Sequence, residues 1–358
     1  LFTAQNNTSE PLIATITVTS TFSFGGISDS TSPLTFTITV NPKPQINDFE
    51  ETICEGDTFT SVTPEDVTNG IVPTGTTYTW AISAASSAAI EGASASTTAS
   101  VTIPGSSLTL VDGTTSPQNL IYTVTPTSAE GCIGEEFTVT ITVNPTPTMN
   151  SVSAVEVCNG EDITIDFTTS NTGGVTTYDW SAVGPAIGLA PTSGLVTDSN
   201  VDITFTGSNP DPEPRVVTIT VTPIFTNDGI SCSTSEEQTF TITVKPTTNV
   251  TDNIDDQFIF TGDTTDAVTI ESVTENATFT WVAVAETGIE GLENTSGNTS
   301  TIPEETLTLA EGINTPLDVV YTITPSAPAA ENDNGCPGNP YTYIVTVNPL
   351  AQLNSTQI

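Results

Sequence analysis

Threonine alternates with valine, isoleucine or phenylalanine over long stretches of this chain. In FTVTITV, Phe137, Val139, Ile141 and Val143 fall on one face, and Thr138, Thr140 and Thr142 on the other. A period of two is the signature of a β-strand with one face buried. The apolar face is expected to enter a core. The threonine face is expected to meet water, where β-branching still favours the strand. No segment reads as a helix, and most of the 25 prolines and 25 glycines fall between strand-like runs, where turns need them. Many short strands at regular spacing predict an all-β fold of antiparallel β-sandwiches.

The pattern repeats. Tyr78-Thr79-Trp80 recurs as Tyr178-Asp179-Trp180 and Phe279-Thr280-Trp281. IYTVTP ending at Pro126 recurs as TITVTP ending at Pro223 and YTITP ending at Pro325. LTFTITVNP (34–42), FTVTITVNP (137–145), TFTITVKP (239–246) and YIVTVNP (343–349) close successive units. Self-similarity at one period predicts tandem domains. Three full repeats are expected at 43–145, 146–246 and 247–349. Residues 1–42 read as the C-terminal part of a preceding repeat and 350–358 as the start of a following one, so the chain reads as a window on a longer array. Each repeat reads in one order: a first strand, a Gly-Asp or Gly-Glu turn (Gly56-Asp57, Gly160-Glu161, Gly262-Asp263), a second strand, the tryptophan strand, a variable stretch, a strand near ASVTIP (99–104), the YTVTP strand, a loop and the closing strand. The tryptophans are expected in the core, because residues two positions either side are apolar: Tyr78 and Ile82, Tyr178 and Ala182, Phe279 and Ala283. The alternative is a surface tryptophan that stacks on sugar.

Composition narrows the chemistry. Three basic residues, Lys43, Arg215 and Lys245, stand against 42 acidic ones, for a net charge of −39, and there is no histidine. Nucleic acid is excluded as a partner, since phosphate contacts need Lys and Arg. Ser-His-Asp and Cys-His catalysis and histidine metal sites are excluded as well. No apolar run is long enough to span a bilayer, and an anionic membrane surface would repel the chain. The first ten residues lack the features of a signal peptide. Charge runs through all three repeats, at −11 (12 acidic, one basic), −10 (12 and two) and −16 (16 and none), so it belongs to the array and is not a tail.

Five cysteines occupy two kinds of place. Cys54 and Cys158 sit before the turn, in ICEGD and VCNGE. Cys132, Cys232 and Cys336 sit before the closing strand, in EGCIG, ISCST and NGCPG. The first two repeats carry one of each kind, which predicts the disulfides Cys54–Cys132 and Cys158–Cys232 and an oxidising, extracytoplasmic setting; buried free thiols are the alternative. In the third repeat Phe260 stands where the first cysteine is expected. That leaves Cys336 without an intramolecular partner, either as a free thiol or as a site of intermolecular linkage.

The combination of CEGDTFT, Tyr-x-Trp, YTVTP, a Gly-Cys loop and TVTITVNPTPT resembles the PKD-like, immunoglobulin-like repeats of very large surface proteins of Bacteroidota, the gliding-motility adhesins of flavobacteria above all. The resemblance covers essentially the whole chain. It implies export by the type IX secretion system, display at the cell surface, and carriage by a motor while the adhesin grips the substratum. The Gly-Asp-Gly run that follows the tryptophan in typical PKD domains is absent.

Other chemistry is weakly signalled. Acidic residues that invite a calcium reading are Asp252, Asp255 and Asp256, Glu331 and Asp333, and Asp211 with Glu213; none has EF-hand spacing. No cofactor is expected beyond that calcium reading, with the ion stiffening the junctions. The carboxylates are dispersed and do not recur as a glycosidase pair, so no catalytic residue is expected. Both lysines lie at repeat boundaries, which argues against Lys–Asn isopeptide bonds. Asp-Ser/Thr motifs such as Asp29-Ser30-Thr31 and Asp263-Thr264-Thr265 are candidates for O-glycosylation by the same resemblance. The repeats join through NPKPQ, NPTPT and KPTTN, and such proline-rich junctions favour extension. The expectation is a structural stalk of a surface adhesin in an elongated array. Its partners would be neighbouring repeats and, through other parts of the protein, surface polysaccharide and the gliding and secretion machinery. A polysaccharide-binding array and a surface-layer component are the alternatives.

Overall fold

The computed structural model describes residues 3–197, 202–234, 236–251, 254–328 and 335–351, and these contain strands, turns and loops with no helix. Two compact units are present: residues 1–150, 168–178 and 222–236 form one, and residues 151–167, 179–221 and 237–358 the other.

In the first unit the largest sheet has the order Ser96–Ser100, Thr77–Ile82, Gln118–Thr127, Phe137–Asn144, Phe49–Cys54. The long YTVTP strand lies at its centre, with Tyr122 opposite Val139 on one side and Val124 opposite Trp80 on the other. The alternation does what the sequence predicts. Val139, Ile141 and Val143 are buried between Thr138, Thr140 and Thr142, which are half-buried. The inward side chains meet a second layer built from short pairs, in which Phe59, Ile103, Leu108 and Leu110 close the core. Fully burying a Val, Leu, Ile or Phe side chain stabilises by about 1.5–3 kcal/mol, so such a two-layer core is what holds the repeat together.

The second repeat builds its largest sheet in the order Val155–Cys158, Gln238–Lys245, Arg215–Asn227, Val175–Val183, Ser193–Thr197, and pairs Asp162–Asp166 with Asp202–Thr206 apart from it. The third uses Gln257–Phe260, Tyr341–Asn348, Leu317–Ala327, Thr278–Ala285, Ser296–Gly297. In its core Tyr321 and Tyr343 sit opposite each other on neighbouring strands and stack, with ring centroids 4.7 Å apart. All three tryptophans are buried, with Trp281 only 3% exposed. Trp281 is covered so closely by Gly297 that a Cβ there would come within 2.6 Å of the indole, so only glycine fits. Ile82, expected on the buried face beside Trp80, lies at the strand end and is exposed.

One expectation needs correction. The sandwiches are not purely antiparallel: in each repeat the first strand runs parallel to the closing strand, Cys54 beside Asn144, Cys158 beside Lys245 and Phe260 beside Asn348. Parallel neighbours need a long crossover. Here the rest of the repeat supplies it.

Ahead of the first repeat, Leu12–Val18 and Leu34–Val40 form a seven-rung antiparallel pair, and Thr21–Phe24 and Ile27–Ser30 form a hairpin between them.

Candidate functional site

The parallel pairing fixes where each cysteine sits. Cys54 ends the first strand beside Asn144, the last residue of the closing strand. Cys132 lies just ahead of Phe137, where that closing strand begins. The eight residues of the closing strand separate the two positions by about 26 Å at ~3.3 Å per residue, whereas a disulfide needs Cα atoms within about 7 Å. The expected bonds Cys54–Cys132 and Cys158–Cys232 are therefore not formed. Cys54 pairs instead with Cys232, and Cys158 with Cys336, each across a separation of 178 residues and each with Cα atoms 5.5 Å apart. Cys336, expected to lack an intramolecular partner, has one. Cys132 is the free thiol. Both bonds join the turn of one repeat to the loop of the next.

The turn that presents the first kind of cysteine is rebuilt identically. The amide of Asp57 donates to the Cys54 carbonyl at 3.0 Å, that of Glu161 to Cys158 at 3.1 Å, and that of Asp263 to Phe260 at 2.9 Å. The residue after each cysteine donates to the last residue of the closing strand, Glu55 to Asn144 and Asn159 to Lys245, and Thr261 does the same to Asn348. Gly56, Gly160 and Gly262 carry the turn at φ of 87°, 89° and 94°, a region open to glycine. Phe260 thus occupies the cysteine's place in full and is 53% exposed.

The second kind of cysteine rides on a hairpin extended from the long YTVTP strand. In the second repeat Asp228 and Gly229, both at positive φ, make a two-residue loop between Arg215–Asn227 and Ile230–Ser233, which places Cys232 opposite Phe225. Asp-Gly is a favoured pair for such a loop. In the third, Cys336 lies opposite Ala327. Cys232 and Cys336 are buried.

Polar contacts surround each bond. In the first unit Asn144 is fully buried. Its Nδ2 donates to the Asn227 carbonyl at 3.3 Å, and Asn227 Nδ2 donates back to Asn144 Oδ1 at 3.0 Å. The carboxylate of Glu55 accepts from the Thr146 amide and hydroxyl, and Asn171 Oδ1 accepts from the Thr148 amide at 2.6 Å. In the second unit Asn159 Nδ2 donates to Thr247 Oγ1 and Asn159 Oδ1 accepts from the Asn209 amide. Lys245, 5% exposed, sits where Asn144 stands one repeat earlier, with Nζ 3.1 Å from the Glu156 carboxylate. The buried members of this set, Asn144, Asn171, Asn209 and Lys245, are thus all satisfied, as buried polar groups must be.

The described acidic residues among those suggested for calcium do not gather into one site. Asp252, Glu331 and Asp333 lie outside the described residues. Asp256 accepts the Ile344 amide at 2.8 Å, and Asp211 pairs with Arg215 at 2.8 Å. Glu213 uses only its carbonyl, toward Asn209. Asp255 and Asp256 line a shallow polar groove with Asp266. Among the described residues no group of three or more carboxylates, cysteines or histidines is close enough to hold a metal ion. No helix among them is long and apolar enough to cross a membrane.

The sequence patterns characteristic of the PKD-like domain match this chain twice, at residues 51–147 and 250–351. No curated protein matches it. Among solved structures, the I-band fragment I67–I69 of titin is similar at a TM-score of 0.38 and 10% identity, over 86% of this chain and 97% of that one. The three N-terminal domains of the outer capsid protein Hoc of bacteriophage RB49 are similar at 0.36 and 12%, over 83% and 95%. Domains 3–5 of the Drosophila OTK ectodomain are similar at 0.32 and 12%, over 86% and 96%.

Proposed function

Because this chain belongs to the PKD-like domain family, we propose that it is a structural, load-bearing stalk segment of an extracellular adhesin, holding an adhesive tip away from its anchorage. Tandem domains of this kind are typically structural modules. The finer reading, a gliding-motility adhesin of the cell surface exported by type IX secretion, rests on the sequence resemblance.

The observation that carries the proposal is the pair of bonds Cys54–Cys232 and Cys158–Cys336. Disulfides persist in oxidising compartments, which favours a location outside the cytoplasm. Closing loops of this length stabilises each by about 4–5 kcal/mol in the chain-entropy view. Their overlap matters more. Cys54 and Cys336 are 282 residues apart along the backbone, but the shortest covalent path between them runs through both disulfides and only the 74 residues from Cys158 to Cys232. Tension on the ends is thus passed from repeat to repeat through covalent bonds, and most of the chain between the outer cysteines is relieved of it.

Single-molecule stretching of the whole chain by its ends tests this. Fully unfolded, the oxidised chain is expected to release about two fifths of the length released after reduction, at ~3.5 Å per residue. Equal lengths in the two states would refute the load-bearing reading.

A further inference from the structure

Cys132 is chemically the odd residue of the molecule, a free thiol in a place where the other two repeats have a bonded one. Its surroundings match those of Cys336. Two residues beyond each is a glycine whose amide donates to the proline carbonyl of the long strand, Gly134 to Pro126 at 2.8 Å and Gly338 to Pro325 at 2.7 Å. A Cβ on either glycine would strike the segment leading into its own repeat, at the Pro44 carbonyl for Gly134 and the Thr248 carbonyl for Gly338. Pro44 and Thr248 are themselves equivalent, each two residues past the proline that follows a closing strand. The Cys-x-Gly segment is therefore held alike in both repeats. Only the partner differs: Cys336 finds Cys158 in the turn of the repeat before it, and 178 residues before Cys132 lies ahead of Leu1.

We propose that Cys132 is the attachment point for a further disulfide, taking as its partner a turn cysteine of a PKD-like repeat N-terminal to residue 1, so that the ladder of bonds runs on through the first repeat. The same rule accounts for the other end. Phe260 occupies the turn position of the third repeat, so the ladder stops there and no bond leaves toward a following repeat.

The bond forms by thiol–disulfide exchange, with a low-molecular-weight disulfide as the oxidant. The turn cysteine first exchanges onto that disulfide and releases one small thiol. The Cys132 thiolate then attacks the turn-cysteine sulfur of the mixed disulfide. The new S–S bond forms as the old one breaks, and the second small thiol leaves with the electron pair and takes up a proton. Two protein thiols are oxidised and one small disulfide is reduced to two thiols.

The test is a chain in which residues 43–145 are duplicated in tandem, with everything else retained, oxidised in a glutathione buffer and mapped by non-reducing peptide mass spectrometry. The expected map joins Cys54 of the first copy to Cys132 of the second, beside the unchanged bonds to Cys232 and Cys336. Alkylation of the second-copy Cys132 should fall at least tenfold, while the first-copy Cys132 stays fully reactive. The bonds to Cys232 and Cys336 report folding, so their presence with both copies of Cys132 alkylated would overturn the proposal. A second measurement is independent of this variant: the disulfide map of the full-length protein from its source, with thiols blocked before extraction. There Cys132 is expected on an upstream peptide with a Cys-x-Gly turn. Recovery of Cys132 free, or bonded to Cys132 of another copy, would overturn the proposal.

Discussion

LTFTITVNP at 34–42 and FTVTITVNP at 137–145 are almost the same string, and both lie in regular antiparallel ladders, one against Leu12–Val18 and the other against Gln118–Thr127. Their surroundings differ completely. Leu34 is 72% exposed and Phe36 49%, whereas Phe137, Val139, Ile141 and Val143 are all buried. Alternation thus dictates the strand and which side chains share a face, but burial comes from the second layer. The closing strand of the first repeat has Phe59, Ile103 and Leu108 across from it. For the N-terminal pair the described residues supply no such cover, and Ile13, Val18 and Phe22 are exposed as well.

The largest effect that separates the two regions is a truncation of the first apolar position of each strand. Phe137→Ala removes a ring that packs edge-on against Tyr78 and tilted against Phe49. It is expected to cost about 3–5 kcal/mol in denaturant unfolding. Leu34→Ala, at the matching position, is expected to stay within about 0.5 kcal/mol. Equal costs would mean that the N-terminal pair has a core of its own.

Alkali separates the regions next. Burial pushes the hydroxyl of Tyr78 up to about 12, and burial followed by the nearby Glu305 does the same to Tyr321; Tyr343 is raised too, by burial and then by Tyr321. A folded pKa above the unfolded value near 10 means that the tyrosine's contribution is intact below pH 10 and is lost as pH rises through about 12, because the unfolded chain ionises first. The expected loss is of order 2 kcal/mol per tyrosine by pH 12. The 12–40 segment has no tyrosine. Stability followed from pH 9 to 12 should therefore fall for the repeats, and fall less in Tyr321→Phe. A flat profile would contradict the burial of these rings.

What could be read in the sequence follows the same division. Thr138, Thr140 and Thr142 between Val139, Ile141 and Val143 announce the strand and its inward face. The three tryptophans, flanked by apolar neighbours, announce the core. The parallel partner of the closing strand is not legible, because nothing local in Phe49–Cys54 says which strand lies beside it. The disulfide partners are not legible for the same reason. Equivalence of position identified two kinds of cysteine but not that they sit at opposite ends of a repeat. One signal was available: Cys54 to Cys232 and Cys158 to Cys336 are both 178 residues, whereas the spacings within a repeat, 78 and 74, differ. A rule that joins neighbours also makes Phe260 the end of a series and leaves Cys132 over, with no broken repeat to explain. The buried pairing of Asn144 with Asn227 was equally hidden, since an Asn-Pro junction reads only as a turn signal.

That asparagine gives the smallest contrast. Asn144 and Asn6 both tie a strand end by their side-chain amides, Asn144 to the carbonyl of Asn227 and Asn6 to the carbonyls of Val40 and Glu10. Asn144 is fully buried and also accepts from Asn227 Nδ2 at 3.0 Å. Asn144→Ala removes both bonds at a buried position and leaves Asn227 Nδ2 only the Asp228 carboxylate at 3.3 Å, for an expected cost of about 1–2 kcal/mol. At Asn6 the strand end is half-open, water replaces the lost bonds, and Asn6→Ala should cost less than about 0.5 kcal/mol. Because the Cys54–Cys232 bond holds the Asn227 hairpin in place whether or not the asparagines pair, the cost of Asn144→Ala should rise once that bond is removed by Cys54→Ser with Cys232→Ser. A double-mutant cycle in urea measures that coupling. A coupling of zero would show that the asparagine pair and the disulfide hold the hairpin independently, and the junction would then owe its order to neither alone.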